Sequence, residues 1–203
     1  MKNYWEKFYQ NNHDLKIINR GSSFSRYVLK QIKNYQFIID LGCGNGRDSI
    51  FFNSYGKKVI GVDQCNEVIK LNKKKFKKKN LKFIHLDVCN NLSEKIKIKK
   101  PKCFYSRFLI HSLKPSLIKS HISQISKIFN NNDVLFMEYR CFEDKTKTKT
   151  FNDHYRNFMK TNDIENILIK NKLKSSYVEK GLGFAKFKKE NPFVARHTVI
   201  RIS

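Results

Sequence analysis

Short apolar runs alternate along the chain with segments in which apolar residues recur at helical spacing. Five of these runs have the length and composition of buried strands. They span residues 37–41, 58–63, 81–87, 103–108 and 133–139. Helical spacing separates most of them, at residues 22–32, 66–76 and 115–129. Because strands joined by helices run parallel, the pattern predicts a parallel sheet covered by helices on both faces.

The last third of the chain follows a different pattern. Residues 162–173 have helical spacing, and two strand-like segments follow close together at residues 175–181 and 195–202. Strands this near in sequence are expected to pair antiparallel at the sheet edge. The predicted fold class is therefore α/β, with a seven-stranded, mostly parallel sheet whose last strand is antiparallel. At 203 residues the chain is expected to form a single domain.

With 40% hydrophobic and 13% aromatic residues, the chain has the composition of a globular protein. It contains no apolar stretch of the roughly 18 to 20 residues that a membrane-spanning helix needs, and its first residues do not resemble a signal peptide. We therefore expect a cytoplasmic protein without membrane insertion. The five cysteines lack the spacing and the neighbouring histidines of a zinc site, so reduced thiols and no bound metal are expected.

The formal net charge of +25 comes from 42 lysine and arginine residues against 17 aspartate and glutamate residues. One interpretation is compositional drift, because lysine, asparagine and isoleucine are all abundant, as in proteins encoded by AT-rich genomes. The other interpretation is an anionic partner, such as RNA, a phosphorylated small molecule or a membrane surface. Charge alone does not decide between them.

Residues 40–49 read DLGCGNGRDS and directly follow the apolar run of residues 37–39, so they begin within the first predicted strand. Three glycines at alternate positions, Gly42, Gly44 and Gly46, indicate a backbone that turns sharply and lies bare beside a ligand. Their spacing differs from the dinucleotide-binding pattern G-x-G-x-x-G, since Arg47 stands where the third glycine would fall. The phosphate-binding loop pattern is absent as well, because no Gly-Lys-Ser/Thr follows.

The segment FIIDLGCGNGRDS resembles the first motif of class I S-adenosylmethionine-dependent methyltransferases, which have a Rossmann-like fold. The resemblance implies that Asp40 holds the amino group of the cofactor S-adenosyl-L-methionine, which leaves as S-adenosyl-L-homocysteine. It also implies that Asp63 accepts hydrogen bonds from the ribose hydroxyls and that Asp87 faces the adenine amino group. Further cofactor contacts are implied for Gly42, Cys43, Gly44, Gly46, Gln64 and Val88.

The segments YWEKFY, YSRFLIHSL and HYRNF extend the resemblance to a bacterial small-molecule subgroup associated with surface-polysaccharide (capsule or O-antigen) gene clusters. This implies N-terminal helices and a cofactor lid in residues 1–35, a cofactor-binding core in 36–140, and an insertion, last helix and strand pair in 141–203. Trp5 and Ser22 lie in the expected lid region and are assigned to the cofactor. A monomer or weak homodimer is expected.

The acceptor is expected beyond the carboxyl ends of the fourth and fifth strands, where ligands of open α/β sheets bind. His111 follows the fourth strand and is the leading candidate for a general base, because the ordinary histidine pKa of about 6.5 suits proton removal near neutrality. His154, in the segment before the last helix, is the competing candidate. Other catalytic candidates are Tyr105, Arg107 and Glu138, while Ser106 is assigned to the cofactor.

Arginine is rare in this lysine-rich chain, so its placement is a better signal than the lysine content. Arg140, Arg156 and Arg196 stand at predicted strand ends or in the insertion, and together with Tyr155 they are assigned to the acceptor. Guanidinium binds carboxylate or phosphate through two parallel hydrogen bonds. We therefore predict a small anionic acceptor, such as a sugar nucleotide, a phosphate ester or a phosphoramidate, with O-methylation preferred. The alternative is that these arginines pair with nearby acids such as Glu138.

Three other functions stay open at this point. A nucleic-acid methyltransferase would suit the basic charge, but YSRF stands where adenine-methylating enzymes carry Asn or Asp, two prolines and an aromatic residue. A nicotinamide-dependent oxidoreductase would need a different glycine spacing. A non-catalytic cofactor-binding protein is compatible with the sequence.

Overall fold

The structure, a computed structural model, describes residues 4–7, 20–146, 155–187 and 189–202. Its strands are β1 (Phe37–Leu41), β2 (Lys58–Asp63), β3 (Leu81–His85), β4 (Lys102–Arg107), β5 (Val134–Arg140), β6 (Leu173–Gly181) and β7 (Val194–Arg201). Its helices are α1 (residues 4–7), α2 (Ser23–Gln31), α3 (Arg47–Ser54), α4 (Asn66–Lys75), α5 (Leu92–Lys95), α6 (Pro115–Ser126) and α7 (Thr161–Lys170). Short 3₁₀ turns lie at Ile110–Ser112 and Phe142–Asp144.

The seven strands form one sheet in the order β3-β2-β1-β4-β5-β7-β6. β1 pairs in parallel with both β2 and β4, and β7 lies antiparallel between β5 and β6. This arrangement confirms the predicted fold class. Because the strand order reverses between β1 and β4, the crevice above their carboxyl ends is the place where such sheets bind ligands.

Two apolar layers, one on each face of the sheet, hold the fold together. One layer contains Phe24 of α2 and Phe52 of α3, and the other contains Ile118 of α6 and Leu168 of α7. β1 is buried at four of its five positions, which explains why it reads as a continuous apolar run and does not alternate. Each fully buried large apolar side chain contributes about 1.5–3 kcal/mol to the free energy of unfolding.

Two of the strand ends that differ from the prediction bear on the site. β3 ends at His85, so Asp87 lies in the loop that follows the strand. β4 ends at Arg107 because Phe108 adopts a φ of +58°, a left-handed conformation that a strand cannot contain. This turn directs the chain along the carboxyl edge of the sheet towards Ile110–Ser112. None of the helices in the described ranges is long and apolar enough to cross a membrane.

Candidate active site

Three adjoining cavities open at the carboxyl edge of the sheet. The aspartate cavity is lined by Gly42, Asp63, Gln64, Asp87, Val88 and Leu109. The glycine cavity is lined by Asp40, Cys43, Gly44, Arg47, Asp48 and Tyr105. The arginine cavity is lined by Arg20, Arg26, Arg47, Arg107, Arg140 and Arg156. Arg107 lines all three, so the cavities meet at the end of β4.

The glycine turn forms a bare wall shared by two of the cavities. Gly42, Gly44 and Gly46 have φ values of +73°, +50° and +76°, which residues with a side chain rarely adopt. A Cβ atom on Gly42 would lie 3.1 Å from the side chain of Leu109. The N–H of Gly44 donates to Asp63 at 2.9 Å and ties the turn to the end of β2. Backbone geometry therefore favours glycine at all three positions, and space adds to this at Gly42 and Gly46.

Asp40 stands in β1 at the base of the glycine cavity and is 3% exposed. One carboxylate oxygen accepts a hydrogen bond from the hydroxyl of Ser49 at 2.6 Å. Burial raises the pKa of Asp40 to about 7, although the Ser49 hydrogen bond opposes this shift. A cationic group in this cavity would stabilise the ionised carboxylate. The site therefore suits the ammonium group that the sequence assigns to it.

Asp63 and Asp87 are held by their own loops but keep capacity for a ligand. The two oxygens of Asp63 accept the backbone N–H groups of Gly44 and Cys65, each at 2.9 Å. Asp87 accepts the N–H of Cys89 at 2.8 Å and the side-chain amide of Asn90 at 2.6 Å. Each carboxylate oxygen has a second lone pair, so both residues can accept further hydrogen bonds from hydroxyl or amino groups. Their chemistry fits the ribose and adenine of S-adenosylmethionine.

Trp5 of α1 lines both the aspartate cavity and the arginine cavity. Its indole ring stands edge-on to the ring of Tyr4, with the ring centroids 5.1 Å apart. Trp5 therefore borders both cavities, and its role as a lid stays a prediction. Gln64 and Val88 line the aspartate cavity beside the two aspartates, where the resemblance implies adenosine contacts.

Asp48 is a site residue that the sequence analysis did not single out. It lies in the first turn of α3, is 7% exposed and lines the glycine cavity. It accepts hydrogen bonds from the N–H and the hydroxyl of Ser22, each at 2.8 Å, and from the hydroxyl of Tyr105 at 2.7 Å. Burial opposes its charge, but Arg107 and Arg47 lower the pKa of Asp48 below its ordinary value. Ser22 and Tyr105 are therefore engaged in positioning this carboxylate.

Arg107, Glu138 and Arg196 form a buried ion-pair chain. The fully buried carboxylate of Glu138 accepts from Nε of Arg107 at 2.9 Å and from Nε of Arg196 at 2.8 Å. Arg196 also donates to Glu179 and to the carbonyl of Phe184, both at 3.3 Å. Neither Glu138 nor Arg196 lines any of the three cavities. For Arg196 the structure thus has the pairing with acids that the sequence left open as the alternative.

His111 lies in the wall of the arginine cavity, in the 3₁₀ turn that follows β4. Its Nδ1 accepts the backbone N–H of Arg140 at 3.3 Å. A neutral imidazole whose Nδ1 accepts a hydrogen bond carries its proton on Nε2 and presents a donor there. This geometry favours hydrogen-bond donation over the predicted role as a general base. His154, the competing candidate, lies outside the described residues.

The remaining predicted site residues divide into two groups. Arg140 and Arg156 line the arginine cavity. Tyr155 is 43% exposed and lines none of the three cavities. Ser106 also lies outside them, and its buried hydroxyl has no hydrogen-bond partner among the described residues. The structure therefore brings the two arginines to the expected acceptor site but not Tyr155, and it does not bring Ser106 to the cofactor cavities.

The β6–β7 loop, which runs from residue 182 to residue 193, closes one side of the arginine cavity. Phe184 and Lys186 of this loop line the cavity. The carbonyl of Phe184 accepts the hydroxyl of Ser23, and its ring centroid lies 4.4 Å from the guanidinium carbon of Arg196. Arg196 therefore supports the cavity wall from behind.

Residues 38–132 match a family model described as a methyltransferase domain. A comparison with curated protein sequences gives no match. A SAM-dependent methyltransferase from Anabaena variabilis superimposes with a TM-score of 0.76 and 13% identity, over 98% of this chain and 94% of that one. The 1,6-didemethyltoxoflavin-N1-methyltransferase of Burkholderia thailandensis gives 0.68 and 14%, over 98% and 88%. The magnesium protoporphyrin IX methyltransferase of Synechocystis PCC 6803, with bound SAH, gives 0.66 and 15%, over 88% and 80%.

The structural likenesses, all at low identity, show a shared fold. The family match bears on methyl transfer as well as on the fold, because the matched residues include the glycine turn together with Asp40, Asp63 and Asp87. These residues line the adjoining aspartate and glycine cavities, and their hydrogen-bonding groups fit the cofactor. Residues 38–132 therefore match a methyltransferase domain, and the chain has the Rossmann-like fold that S-adenosylmethionine-dependent methyltransferases share.

Proposed function

We propose that the enzyme transfers a methyl group to a small anionic acceptor bound in the arginine cavity, preferably to an oxygen atom. The distribution of cations carries this proposal. Six of the eight arginines in the chain line this cavity, whereas Lys186 is the one lysine that lines it in the described parts of the chain. Compositional drift raises the lysine content everywhere and does not gather arginines in one concave site. Guanidinium groups there would bind phosphate or carboxylate bidentately.

The size of the arginine cavity also supports a small acceptor. Its volume of about 630 Å³ lies within the range of small-molecule sites, about 300–1,000 Å³. A sugar nucleotide, a phosphate ester or a phosphoramidate suits such a volume better than folded RNA does. The nucleic-acid methyltransferase is therefore not favoured. The oxidoreductase is not favoured either, because residues 38–132 match a methyltransferase domain.

In this proposal the chain supplies mainly binding and orientation. Bound S-adenosylmethionine would supply a methyl group on its sulfonium: the acceptor atom would bond to the methyl carbon in line as the sulfur–methyl bond breaks, and S-adenosylhomocysteine would leave. Asp40 holds the ammonium group of the cofactor, and Asp63 and Asp87 hold its nucleoside. Arg107, at the junction of the cavities, orients the acceptor towards the cofactor.

Proton removal depends on the acceptor. An oxygen that is already ionised near neutral pH, such as a phosphate oxygen, needs no general base. His111 then serves as a hydrogen-bond donor in the cavity wall, which agrees with its Nδ1 accepting from Arg140. A hydroxyl acceptor needs a base, and His154 is the candidate for that case.

A screen of sugar nucleotides, phosphorylated metabolites and their neutral counterparts with radiolabelled S-adenosylmethionine tests the proposal. We expect transfer to acceptors that bear a phosphate, and transfer confined to neutral acceptors would contradict it. A salt titration separates the nucleic-acid alternative. RNA binding by many lysines weakens steeply between about 50 and 200 mM salt, whereas turnover of a small acceptor changes modestly.

Three wider assignments belong to the same proposal. Because of the resemblance to a surface-polysaccharide subgroup, we propose that the acceptor is an intermediate of capsule or O-antigen modification. We also propose that the enzyme acts in the cytoplasm. The division into a lid region, a cofactor-binding core and a C-terminal insertion with its strand pair is kept at residues 1–35, 36–140 and 141–203. A monomer or weak homodimer is proposed, and size-exclusion chromatography with light scattering would test it.

A further inference from the structure

Charge pairing divides the arginine cavity into a balanced side and an unbalanced side. On the balanced side, the guanidinium of Arg140 forms ion pairs with Asp144 at 3.0 Å and with Glu190. Arg107 pairs with Glu138 at 2.9 Å. All three carboxylates are buried, so these guanidinium groups already have permanent partners.

Arg20 and Arg26 stand on the unbalanced side. Both line the cavity, both are exposed, and neither has an acidic partner in the described parts of the chain. One guanidinium nitrogen of Arg26 donates to the carbonyl of Gly21 at 2.5 Å, which holds Arg26 beside Arg20. Arg20 and Arg26 therefore differ from Arg107 and Arg140, whose guanidinium groups each pair with a buried carboxylate.

Arg47 completes the unbalanced side. Its Nε lies 3.5 Å from Oδ1 of Asp48, and that same oxygen accepts the N–H of Ser22 at 2.8 Å. Asp48 is therefore shared among several donors and neutralises Arg47 only in part. Because Ser22 is two residues from Arg20, this link places Arg20 near Arg47. Arg47 lines both the arginine cavity and the glycine cavity, so the unbalanced side faces the cofactor.

We propose that Arg20, Arg26 and Arg47 form the subsite for a phosphate-type dianion of the acceptor. A phosphate monoester carries a charge of about −1.5 to −2 and three acceptor oxygens, which can satisfy two guanidinium forks at once. A carboxylate, with one charge and two oxygens, would satisfy only one fork. The inference rests on the proposed anionic acceptor and narrows it to phosphate esters, including the diphosphate of a sugar nucleotide.

Calorimetric titration of inorganic pyrophosphate into the S-adenosylhomocysteine-loaded protein, at fixed ionic strength, tests the subsite. Arg20→Gln and Arg26→Gln should each weaken pyrophosphate binding about tenfold or more, because each removes charge-assisted hydrogen bonds. Acetate should bind much more weakly than pyrophosphate. Lys30→Gln is the matched control: it removes the same charge from an exposed position of α2, one turn beyond Arg26 and outside the cavity lining. It should leave pyrophosphate binding unchanged.

Each contrary result has its own meaning. Equal weakening by Lys30→Gln would show that net charge alone attracts the anion, and it would overturn the subsite. Pyrophosphate binding that neither arginine substitution affects would also overturn it, but would leave the anionic acceptor intact. A loss of S-adenosylhomocysteine affinity in either arginine variant would assign that residue to the cofactor instead. Absence of pyrophosphate binding to the unaltered protein would overturn the proposed anionic acceptor itself, and the subsite with it.

Discussion

Asp40→Asn removes a buried carboxyl group whose ionisation is unfavourable in the folded protein. Asp40 is 3% exposed, and burial raises its pKa to about 7, although the hydroxyl of Ser49 donates to it at 2.6 Å. At 1.36 kcal/mol per pH unit, ionising Asp40 in the folded protein costs about 4 kcal/mol relative to the unfolded chain, where the pKa is about 3.9. Asparagine has nearly the same shape, can still accept from Ser49 and carries no charge.

The sign of the pH dependence follows from proton binding. Between about pH 4 and pH 7, Asp40 keeps its proton in the folded protein but has lost it in the unfolded chain. Because the folded state binds more protons in this range, the contribution of Asp40 to the free energy of unfolding falls as the pH rises. The stability of Asp40→Asn relative to the unaltered protein should therefore increase by up to about 4 kcal/mol from pH 4 to pH 8.

Urea titrations of both proteins across this pH range measure the effect. The difference between them is needed because burial lowers the pKa of His121 and of His197 to about 4, and these histidines change stability in the opposite direction. Their contribution cancels in the difference. A difference that stays constant with pH would refute the argument from burial. Asp40→Asn should also weaken S-adenosylhomocysteine binding at pH 8 about tenfold to a hundredfold, and unchanged affinity would refute the assigned role of Asp40.

Three further predictions address other parts of the molecule. Gly42→Ala should weaken S-adenosylhomocysteine binding, because the new Cβ crowds Leu109 in the lining of the aspartate cavity. Gly56→Ala, with a φ of +77° and open space around it, should suffer a similar backbone strain of about 1–2 kcal/mol and keep binding; equal weakening in both would contradict the space argument. Glu138→Gln removes the carboxylate that pairs with Arg107, the arginine that lines all three cavities. Calorimetry should therefore show that the substitution weakens binding of S-adenosylmethionine, which carries a sulfonium, more than binding of S-adenosylhomocysteine; an unchanged ratio of the two affinities would count against this. The free energy of unfolding contributed by His121 and His197 should fall as the pH drops from about 6.5 to 4. The stability of His121→Leu relative to the unaltered protein should therefore increase over this range, because Asp40 and His197 contribute equally to both proteins; a difference that stays constant with pH in urea titrations would exclude His121 as a source.

Much of the cofactor site could be predicted from the sequence because its signals are local. A strand buried on both faces reads as a continuous apolar run, and alternate glycines directly after it indicate a turn with left-handed residues, as Gly42 and Gly46 have. Parallel strands bring their carboxyl ends to one edge of the sheet. Asp63 and Asp87 therefore line the same cavity, which the strand order alone predicts. This holds although β3 ends two residues before Asp87.

The acceptor side could not be predicted to the same extent, because it depends on contacts between distant segments. Arg196 stands near a strand end, like the cavity arginines, but it pairs with Glu138, 58 residues away. Asp48 looks like an ordinary acid in the first turn of a helix, which the helix dipole alone would explain. Its partners Ser22 and Tyr105 lie 26 and 57 residues away in the sequence, so no local sequence pattern predicts these hydrogen bonds.

The pairing pattern of the arginines suits two ligands of opposite charge, the positively charged cofactor and the proposed anionic acceptor. The cofactor carries an ammonium and a sulfonium against one carboxylate, so its net charge is positive and a bare cation beside the two cationic groups would oppose its binding. Burial opposes the charge of Arg107, but Glu138 and Asp48 raise the pKa of Arg107 above its ordinary value, so it stays charged while its charge is offset. Arg20 and Arg26, which have no carboxylate partner in the described chain, line the arginine cavity and neither of the other two. Positive charge is thus offset at Arg107, which lines both cofactor cavities, offset in part at Arg47, which borders the glycine cavity, and left unbalanced at Arg20 and Arg26, which line the arginine cavity alone.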